Sequence, residues 1–277
     1  MLYFILRPFV SFILYFFIKN RSIHGLSHLP ENGPVLLAVN HPNSFLDAVI
    51  IACMLKRRVW SLARGDVFKK KTAGKILSSL FMLPIHRISE GRENMTENDK
   101  TFDKCLELFR MGEIVLIFSE GICKNQTSLL PLKKGTARLA LSSWKSGVDL
   151  KVIPIGITYN TFNTVGKIVN INMGEAVEKK SFDLETEEAN FIKQFNHHLT
   201  TKMTSLQDWD FSKKLTLYSI IYWIAYLFQF PIYIIATKIS QKITKGSVFY
   251  DSIVLGILIA LLPIYWFILT ITSYYLN

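Results

Sequence analysis

The chain has 277 residues, of which half are hydrophobic and 13% are aromatic, and its formal net charge is +11. Its mean hydropathy is positive at +0.27. A chain that is basic, apolar and aromatic-rich favours an anionic membrane surface over nucleic acid, because nucleic-acid binders are usually polar as well as basic. No nucleic-acid recognition motif accompanies the charge, so we predict no nucleic-acid partner. The three cysteines have neither metal-ligand nor redox spacing, and their odd number argues against a disulfide framework. This cysteine usage fits a reducing cytosolic face.

The first 17 residues are nearly all apolar and are interrupted by Arg7-Pro8. This stretch lacks the basic start and the small-residue cleavage site of a signal peptide, and it is marginal in length for a membrane span. We predict that residues 1–19 contain a helix in the membrane interface, with Lys19 and Arg21 at its polar end. The alternative is an amphipathic helix that packs on its own domain.

A histidine and an aspartate follow the first strongly apolar segment. Residues 34–39 have the length and composition of a buried strand, and residues 48–55 form a second apolar segment, predicted to be helical. His41 and Asp47 lie between them, at a strand exit where rigid elements often hold catalytic groups. A histidine can accept a proton at neutral pH, and a carboxylate can fix its tautomer. The alternative is a capping box, in which Ser44 caps the helix and Asp47 only satisfies backbone donors.

Basic residues are concentrated between positions 56 and 87, with nine Lys and Arg against one acid, Asp66. Most of them are expected to form a solvated face, although the concentration also suits lipid headgroups or phosphates. Arg87 follows the apolar stretch 80–85, a position from which a guanidinium can bind a phosphate through two hydrogen bonds. An ordinary surface ion pair is the alternative for Arg87.

Two further strands are predicted in the second half of the chain. Residues 113–118 read as a buried strand that delivers Glu120 and Gly121 to its exit, with Lys124 close behind. Residues 152–157 read as another strand, in which Pro154 predicts an edge or end position. The loop at Lys133 and Lys134 either holds an anion or is a solvated helix start.

Two long uncharged runs close the chain, from Leu215 to Thr237 and from Ser252 to Asn277. Each is long enough to cross a bilayer. We therefore predict an N-terminal helix (1–19), a middle domain (20–210) and a C-terminal membrane hairpin (211–277). If both runs span the membrane and the catalytic part is cytosolic, the basic loop between them lies outside, against the positive-inside tendency. A re-entrant or interfacial hairpin is therefore the alternative to two full spans.

Four features now stand in order: His with a following Asp, an Arg after an apolar run, Phe-Ser-Glu-Gly after a strand, and Val-Ile-Pro-Ile on a later strand. This order resembles the glycerolipid acyltransferase family, which includes 1-acylglycerol-3-phosphate acyltransferases, over residues 20–175. The resemblance implies an α/β fold with a mixed, mostly parallel sheet flanked by helices. With the segments predicted above, the N-terminal interfacial helix and the C-terminal hydrophobic helix pair complete the expected architecture.

The resemblance also implies roles for individual residues. His41 matches the catalytic base of the family and Asp47 the residue that orients it. Arg87 matches the residue that binds the acceptor phosphate. The remaining matches concern substrate binding: Glu120 and Gly121 belong to the acceptor block, and Pro154 belongs to the fourth block, on the acyl-donor side.

Two departures from the family pattern stand out. The family usually places four residues between His and Asp, whereas this chain has five, a spacing shared by some members that resemble glycerol-3-phosphate acyltransferases. The third block usually continues with Gly-Thr-Arg, but Gly121 is followed here by Ile122-Cys123-Lys124. Lys124 is expected to replace that Arg as a phosphate contact. Its ammonium is a point charge, whereas the guanidinium of an Arg can bind a phosphate through two hydrogen bonds. Cys123 as a nucleophile is the weaker interpretation.

The predicted chemistry is direct acyl transfer from acyl-CoA or acyl carrier protein to the hydroxyl of a lysophospholipid, with no metal or redox cofactor. The preferred acceptor is 1-acylglycerol-3-phosphate, which would give phosphatidic acid. Glycerol-3-phosphate or another lyso- or aminolipid is the alternative acceptor, and a non-catalytic lipid-binding membrane protein is the third hypothesis. The predicted location is the membrane, with the catalytic domain facing the cytoplasm.

Overall fold

In the part of the chain that the structure describes, seven strands form one mixed, mostly parallel sheet. The computed structural model describes residues 2–86, 96–211 and 217–276. The strand order across the sheet is β1-β7-β6-β2-β5-β3-β4, and the β6–β7 pair is antiparallel while the other neighbours are parallel. The strands are β1 Ile18–His24, β2 Val35–Val39, β3 Val59–Arg64, β4 Met82–Ile85, β5 Ile114–Phe118, β6 Lys151–Tyr159 and β7 Lys167–Met173.

Helices cover both faces of this sheet. They are α1 Leu2–Phe17, α2 Phe45–Met54, α3 Lys71–Ser79, α4 Thr96–Arg110, α5 Lys134–Lys145, α6 Glu188–Ser205, α7 Leu217–Thr244 and α8 Tyr250–Leu276. One hydrophobic core joins the sheet to α1, α2, α7 and α8, and a second core joins its other face to α4, α5 and α6. The predicted α/β fold, with its helix-flanked sheet and C-terminal apolar helices, is confirmed.

The central strands explain where the candidate site lies. β2 is buried at all five of its residues, as expected for a parallel strand covered on both faces. Val39, at the carboxyl end of β2, lies opposite Phe118 of β5 and Ile155 of β6. The loops that leave β2 and β5 therefore emerge side by side, where open α/β sheets usually place their ligands.

Pro154 does not lie on an edge strand, so the edge form of that prediction is wrong. β6 lies between β2 and β7, and Pro154 is buried opposite Ala38. The carbonyl of Pro154 accepts a hydrogen bond from the Gly174 amide at 2.9 Å, so its nitrogen faces the β7 side. The antiparallel ladder with β7 begins one residue later, at Ile155 and Met173. Proline is tolerated here because its missing N–H falls at the end of that ladder.

The N-terminal helix α1 packs on its own domain along one face. Ile13, Leu14 and Phe17 are fully buried in the first core. The other face of α1 exposes large apolar side chains, among them Phe4 and Ile5. The packing anticipated in the alternative is therefore present, while placement of the outer face in a membrane interface stays a prediction.

The C-terminal helices α7 and α8 pack on the same core and on each other. In α8, Val254, Leu255 and Leu258 are buried, whereas the second half of the helix is largely exposed. Within the described ranges, one helix segment, Tyr250–Tyr275, is long and apolar enough to cross a membrane. The division into an interface helix, a middle domain and a membrane hairpin stays a prediction.

Candidate active site

The structure brings His41 and Asp47 into direct contact. His41 Nδ1 lies 2.9 Å from Asp47 Oδ2, the His41 side chain is 12% exposed and the Asp47 side chain is fully buried. A carboxylate accepts hydrogen bonds only, so Nδ1 carries the proton and Nε2 carries the free lone pair. This tautomer gives His41 the form of a general base that is oriented by Asp47.

Asp47 is held by two further donors. The Asn43 backbone N–H donates to Oδ2 at 2.8 Å, and the Tyr159 hydroxyl donates to Oδ1 at 2.6 Å. Both carboxylate oxygens are thus engaged inside the protein, which compensates the cost of burying the charge. Burial, reinforced by the negative charge of Asp47, raises the pKa of Tyr159 well above its usual value, so the phenol keeps its proton and remains a donor.

The capping-box alternative is not formed. Ser44 precedes α2 but makes no side-chain hydrogen bond to the helix, and its φ of 53° is unusual for a residue other than glycine. Asp47 directs its oxygens to His41, Asn43 and Tyr159. Although five residues separate His41 from Asp47, the loop through Ser44 leaves the Asp47 carboxylate 2.9 Å from the imidazole.

Glu120 supports the histidine loop through both of its carboxylate oxygens. Oε2 accepts the backbone N–H of His41 at 2.8 Å, and Oε1 accepts that of Leu130 at 2.7 Å. Burial raises the pKa of Glu120, and the two backbone donors partly oppose that shift. Glu120 therefore connects the loop after β5 to the loop after β2. Each of its carboxylate oxygens accepts a backbone hydrogen bond.

Phe118 and Tyr159 belong to the site, and the sequence interpretation did not identify them. The His41 ring stacks on the Phe118 ring, with 3.6 Å between centroids and 13° between planes. Phe118 was identifiable in principle as the last residue of the strand that precedes Glu120. Tyr159 lies 112 positions from Asp47 in the chain, and no local pattern connects the two.

The other four predicted residues, which are Gly121, Lys124, Pro154 and Arg87, do not share one location. Gly121 turns the chain at a φ of 69°, where a side chain would meet Lys133. Lys124 is exposed, and its backbone N–H donates to the His41 carbonyl at 3.2 Å, so it lies beside the dyad. Pro154 is buried in β6. Arg87 lies outside the described residues.

Cys123 contacts the loop through its sulfur, which lies 2.9 Å from the Ser44 amide nitrogen. In the basic segment, Arg57 donates to the carbonyls of Pro30, Gly33 and Gly112, and Arg58 pairs with Glu113. These two arginines therefore have structural partners at the amino ends of the central strands. Within the described ranges, no group of three or more His, Cys, Asp or Glu residues is placed to hold a metal ion.

Three known proteins to which this chain is similar are described as acyltransferases. The chain is 28% identical over 167 residues to two chloroplastic 1-acyl-sn-glycerol-3-phosphate acyltransferases, one from Brassica napus and one from Arabidopsis thaliana. These matches cover 60% of this chain and 44% and 42% of the relatives, so the chain spans less than half of their length. The crystal structure of the 1-acyl-sn-glycerophosphate acyltransferase from Thermotoga maritima has the same fold, with a TM-score of 0.51 and 16% identity. That similarity covers 72% of this chain and 77% of the other.

The match to the acyltransferase family itself runs over residues 20–158. It contains β2, the His41–Asp47 loop, the β5 exit with Glu120, and all but the last residue of β6. Because this match takes in just over half of the sequence, the chain belongs to the acyltransferase family.

Proposed function

We propose that this chain transfers a fatty acyl group from acyl-CoA or acyl carrier protein to the free hydroxyl of 1-acylglycerol-3-phosphate, giving phosphatidic acid. The observation that carries the proposal is the contact between His41 Nδ1 and buried Asp47, which leaves Nε2 as the base. The acceptor follows from the names of the relatives from Brassica napus and Arabidopsis thaliana. The neighbour from Thermotoga maritima supports the fold.

The reaction needs a base because a lipid hydroxyl is a weak nucleophile. His41 Nε2 removes the hydroxyl proton as the oxygen attacks the thioester carbonyl carbon. Asp47 stabilises the imidazolium that forms, and the tetrahedral intermediate then collapses with cleavage of the C–S bond. The imidazolium returns its proton to the departing thiolate, so the products are the ester and the free thiol. No covalent enzyme intermediate is required.

The acceptor phosphate would be bound by cations beside the dyad. Lys124 is exposed and adjoins the His41 carbonyl, so its ammonium can approach a phosphate at the mouth of the site. Arg87 is proposed as the second phosphate ligand on the strength of its sequence position alone. Such contacts would hold the acceptor hydroxyl next to the base, and this orientation of the substrate accelerates a reaction between two substrates.

Membrane association is part of the proposal. α1, α7 and α8 contact one another and expose many large apolar side chains, including Phe4 and Phe12 of α1, Leu227 and Phe228 of α7, and Phe267 of α8. Soluble monomers rarely expose such extended apolar surface. A lipid acceptor and an acyl chain would then reach the site from the bilayer, with the catalytic face on the cytoplasmic side.

The test is an acceptor panel with the full-length protein in phospholipid nanodiscs. Free thiol release from palmitoyl-CoA is measured with lysophosphatidic acid, glycerol-3-phosphate, lysophosphatidylcholine or no acceptor. We expect lysophosphatidic acid to give the highest kcat/KM, and His41→Ala to abolish transfer. His197→Ala is the matched control, since His197 is an exposed histidine on α6.

The outcomes separate the hypotheses. A preference for glycerol-3-phosphate would replace the acceptor but keep the chemistry, and the five-residue spacing between His41 and Asp47 is the observation in its favour. Equal transfer by wild type and His41→Ala would contradict the catalytic proposal and leave a lipid-binding protein.

A further inference from the structure

The start of α8 is in direct contact with the loop that carries the dyad. Asp251 is the second residue of α8, is 1% exposed and lies more than two hundred positions from that loop in sequence. Its Oδ2 accepts a hydrogen bond from the Asn43 side-chain nitrogen at 2.7 Å. Asn43 is itself buried, and its backbone N–H donates to the Asp47 oxygen that also binds His41. One side chain therefore separates Asp251 from the dyad carboxylate.

A second contact runs in parallel. Ser252 Oγ accepts the backbone N–H of Leu46 at 3.2 Å. Leu46 lies in the first turn of α2, whose N–H groups have no acceptor within their own helix, and Ser44 supplies no side-chain cap. The neighbouring helix α8 thus provides the cap that the sequence around α2 does not.

Asp251 is fixed by a buried ion pair. Lys167 Nζ bonds to the same Oδ2, and the Lys167 side chain is fully buried. The Lys167 ammonium also lies 5.5 Å from the Phe17 ring and 5.8 Å from the Tyr159 ring, the tyrosine that donates to Asp47. A buried ion pair contributes little net stability compared with an apolar pair of the same volume, so its presence here calls for another explanation.

We propose that Asp251, supported by Lys167 and Ser252, is a positioning residue for the dyad, so that the C-terminal hairpin is part of the active-site scaffold as well as a membrane-facing element. It acts through Asn43, which holds the loop at the angle that puts Asp47 Oδ2 against His41 Nδ1. The proposal rests on the proposed acyl transfer for its kinetic readout. It goes beyond that function because it assigns a catalytic consequence to residues outside the segment that matches the family.

The experiment uses full-length protein in nanodiscs and three variants. Asn43→Ala removes the hydrogen bond from the Asn43 side chain to Asp251 without removing a charge. Lys167→Met/Asp251→Ala removes both partners of the ion pair, so no charge is left buried and unpaired. The third variant combines all three substitutions. The matched control is Lys151→Met/Glu178→Ala, which removes a 2.9 Å ion pair. Lys151 is the first residue of β6, at the opposite end of that strand from Tyr159.

Loss of a hydrogen bond to a charged group predicts that kcat falls about tenfold in Asn43→Ala and in the pair variant. KM for both substrates should stay within about twofold, because neither variant touches a substrate contact. The triple variant should be no slower than the slower of the other two, since all act through one bond. The control should keep wild-type kcat, and circular dichroism should show folded protein throughout. If the pair variant does not fold, Asn43→Ala alone decides.

Unchanged kcat in folded Asn43→Ala, or multiplicative losses in the triple variant, would overturn the proposal. A readout independent of turnover is the ¹⁵N spectrum of histidine-labelled protein, in which His41 is assigned by its absence from His41→Ala. We expect the His41 Nδ1–H resonance to shift in Asn43→Ala and in the pair variant but not in the control. If wild type transfers no acyl group, acyl transfer has failed, and this resonance still decides the positioning role: an unmoved signal overturns it.

Discussion

Replacing Asp47 with asparagine isolates the charge of the dyad from its geometry. The asparagine oxygen can occupy the position of Oδ2 and accept from His41 Nδ1 and from the Asn43 N–H. Its NH₂ then faces the Tyr159 hydroxyl, which can rotate to accept. The tautomer of His41 is kept, and the change removes only the negative charge that stabilises the imidazolium.

The expected loss follows from Coulomb's law. Two unit charges about 4 Å apart at an effective dielectric constant of about 20 attract by about 4 kcal/mol. Each 1.36 kcal/mol of transition-state stabilisation is worth tenfold in rate, so kcat of Asp47→Asn should fall by about 10³-fold. The dyad is buried on one side and 12% exposed on the other, which supports a dielectric constant far below that of water.

The assay is thiol release from palmitoyl-CoA in nanodiscs with saturating lysophosphatidic acid. Asp149→Asn is the control, because that carboxylate is 81% exposed, and its kcat should match wild type. A variant that retains more than a tenth of kcat would refute the reasoning, since the carboxylate would then not stabilise a charge on His41. A loss confined to KM would also refute it.

Three further predictions concern stability, reactivity and membrane binding. Tyr159→Phe should cost about 1.5–3 kcal/mol in denaturant unfolding at neutral pH, because it removes a donor to a buried carboxylate. The pKa of Tyr159 is raised in the folded state, so this phenol should lower the stability of wild type as the pH rises above the unfolded value of about 10. The Tyr159→Phe variant lacks the phenol, and an equal pH dependence of its free energy of unfolding would contradict this. Burial raises the pKa of the Cys105 thiol to about 12, so iodoacetamide at pH 8 should label it only in urea, and labelling of the native protein would count against the buried placement. Leu227→Ser/Phe267→Ser should weaken co-sedimentation with anionic vesicles at least tenfold, at about 1.5–3 kcal/mol per large apolar side chain, while Met111→Ser should not.

Local patterns in the sequence predicted the central part of the fold. Buried parallel strands read as short continuous apolar runs, and β2 and β5 have that composition. The prediction of an edge strand at Pro154 was wrong, because the cost of a proline in a sheet depends on which neighbouring strand its nitrogen faces. That neighbour, the end of β7, is set by the order of strands across the sheet and not by the residues around Pro154.

The candidate site was likewise predicted from the sequence only in part. His41 and Asp47 were predictable because both lie in one short segment after a strand. Tyr159 and Asp251 were not, since they reach the segment from positions 112 and 208 residues away from their partners. Glu120 was predicted as a polar residue at a strand exit, but only the structure shows that its oxygens face the backbone of His41 and Leu130.

The order β6-β2-β5 explains why these distant residues meet. β2 carries His41 beyond its carboxyl end, and its parallel neighbours β5 and β6 deliver Glu120 and Tyr159 to the same edge of the sheet. A buried carboxylate such as Asp47 is tolerable only where several donors converge on it. His41 and Asn43 supply two donors from the loop itself, and Tyr159 at the end of β6 supplies the third. The geometry of the dyad therefore depends on three neighbouring strands, and changes in the residues that hold its loop should lower the rate even where they touch no substrate.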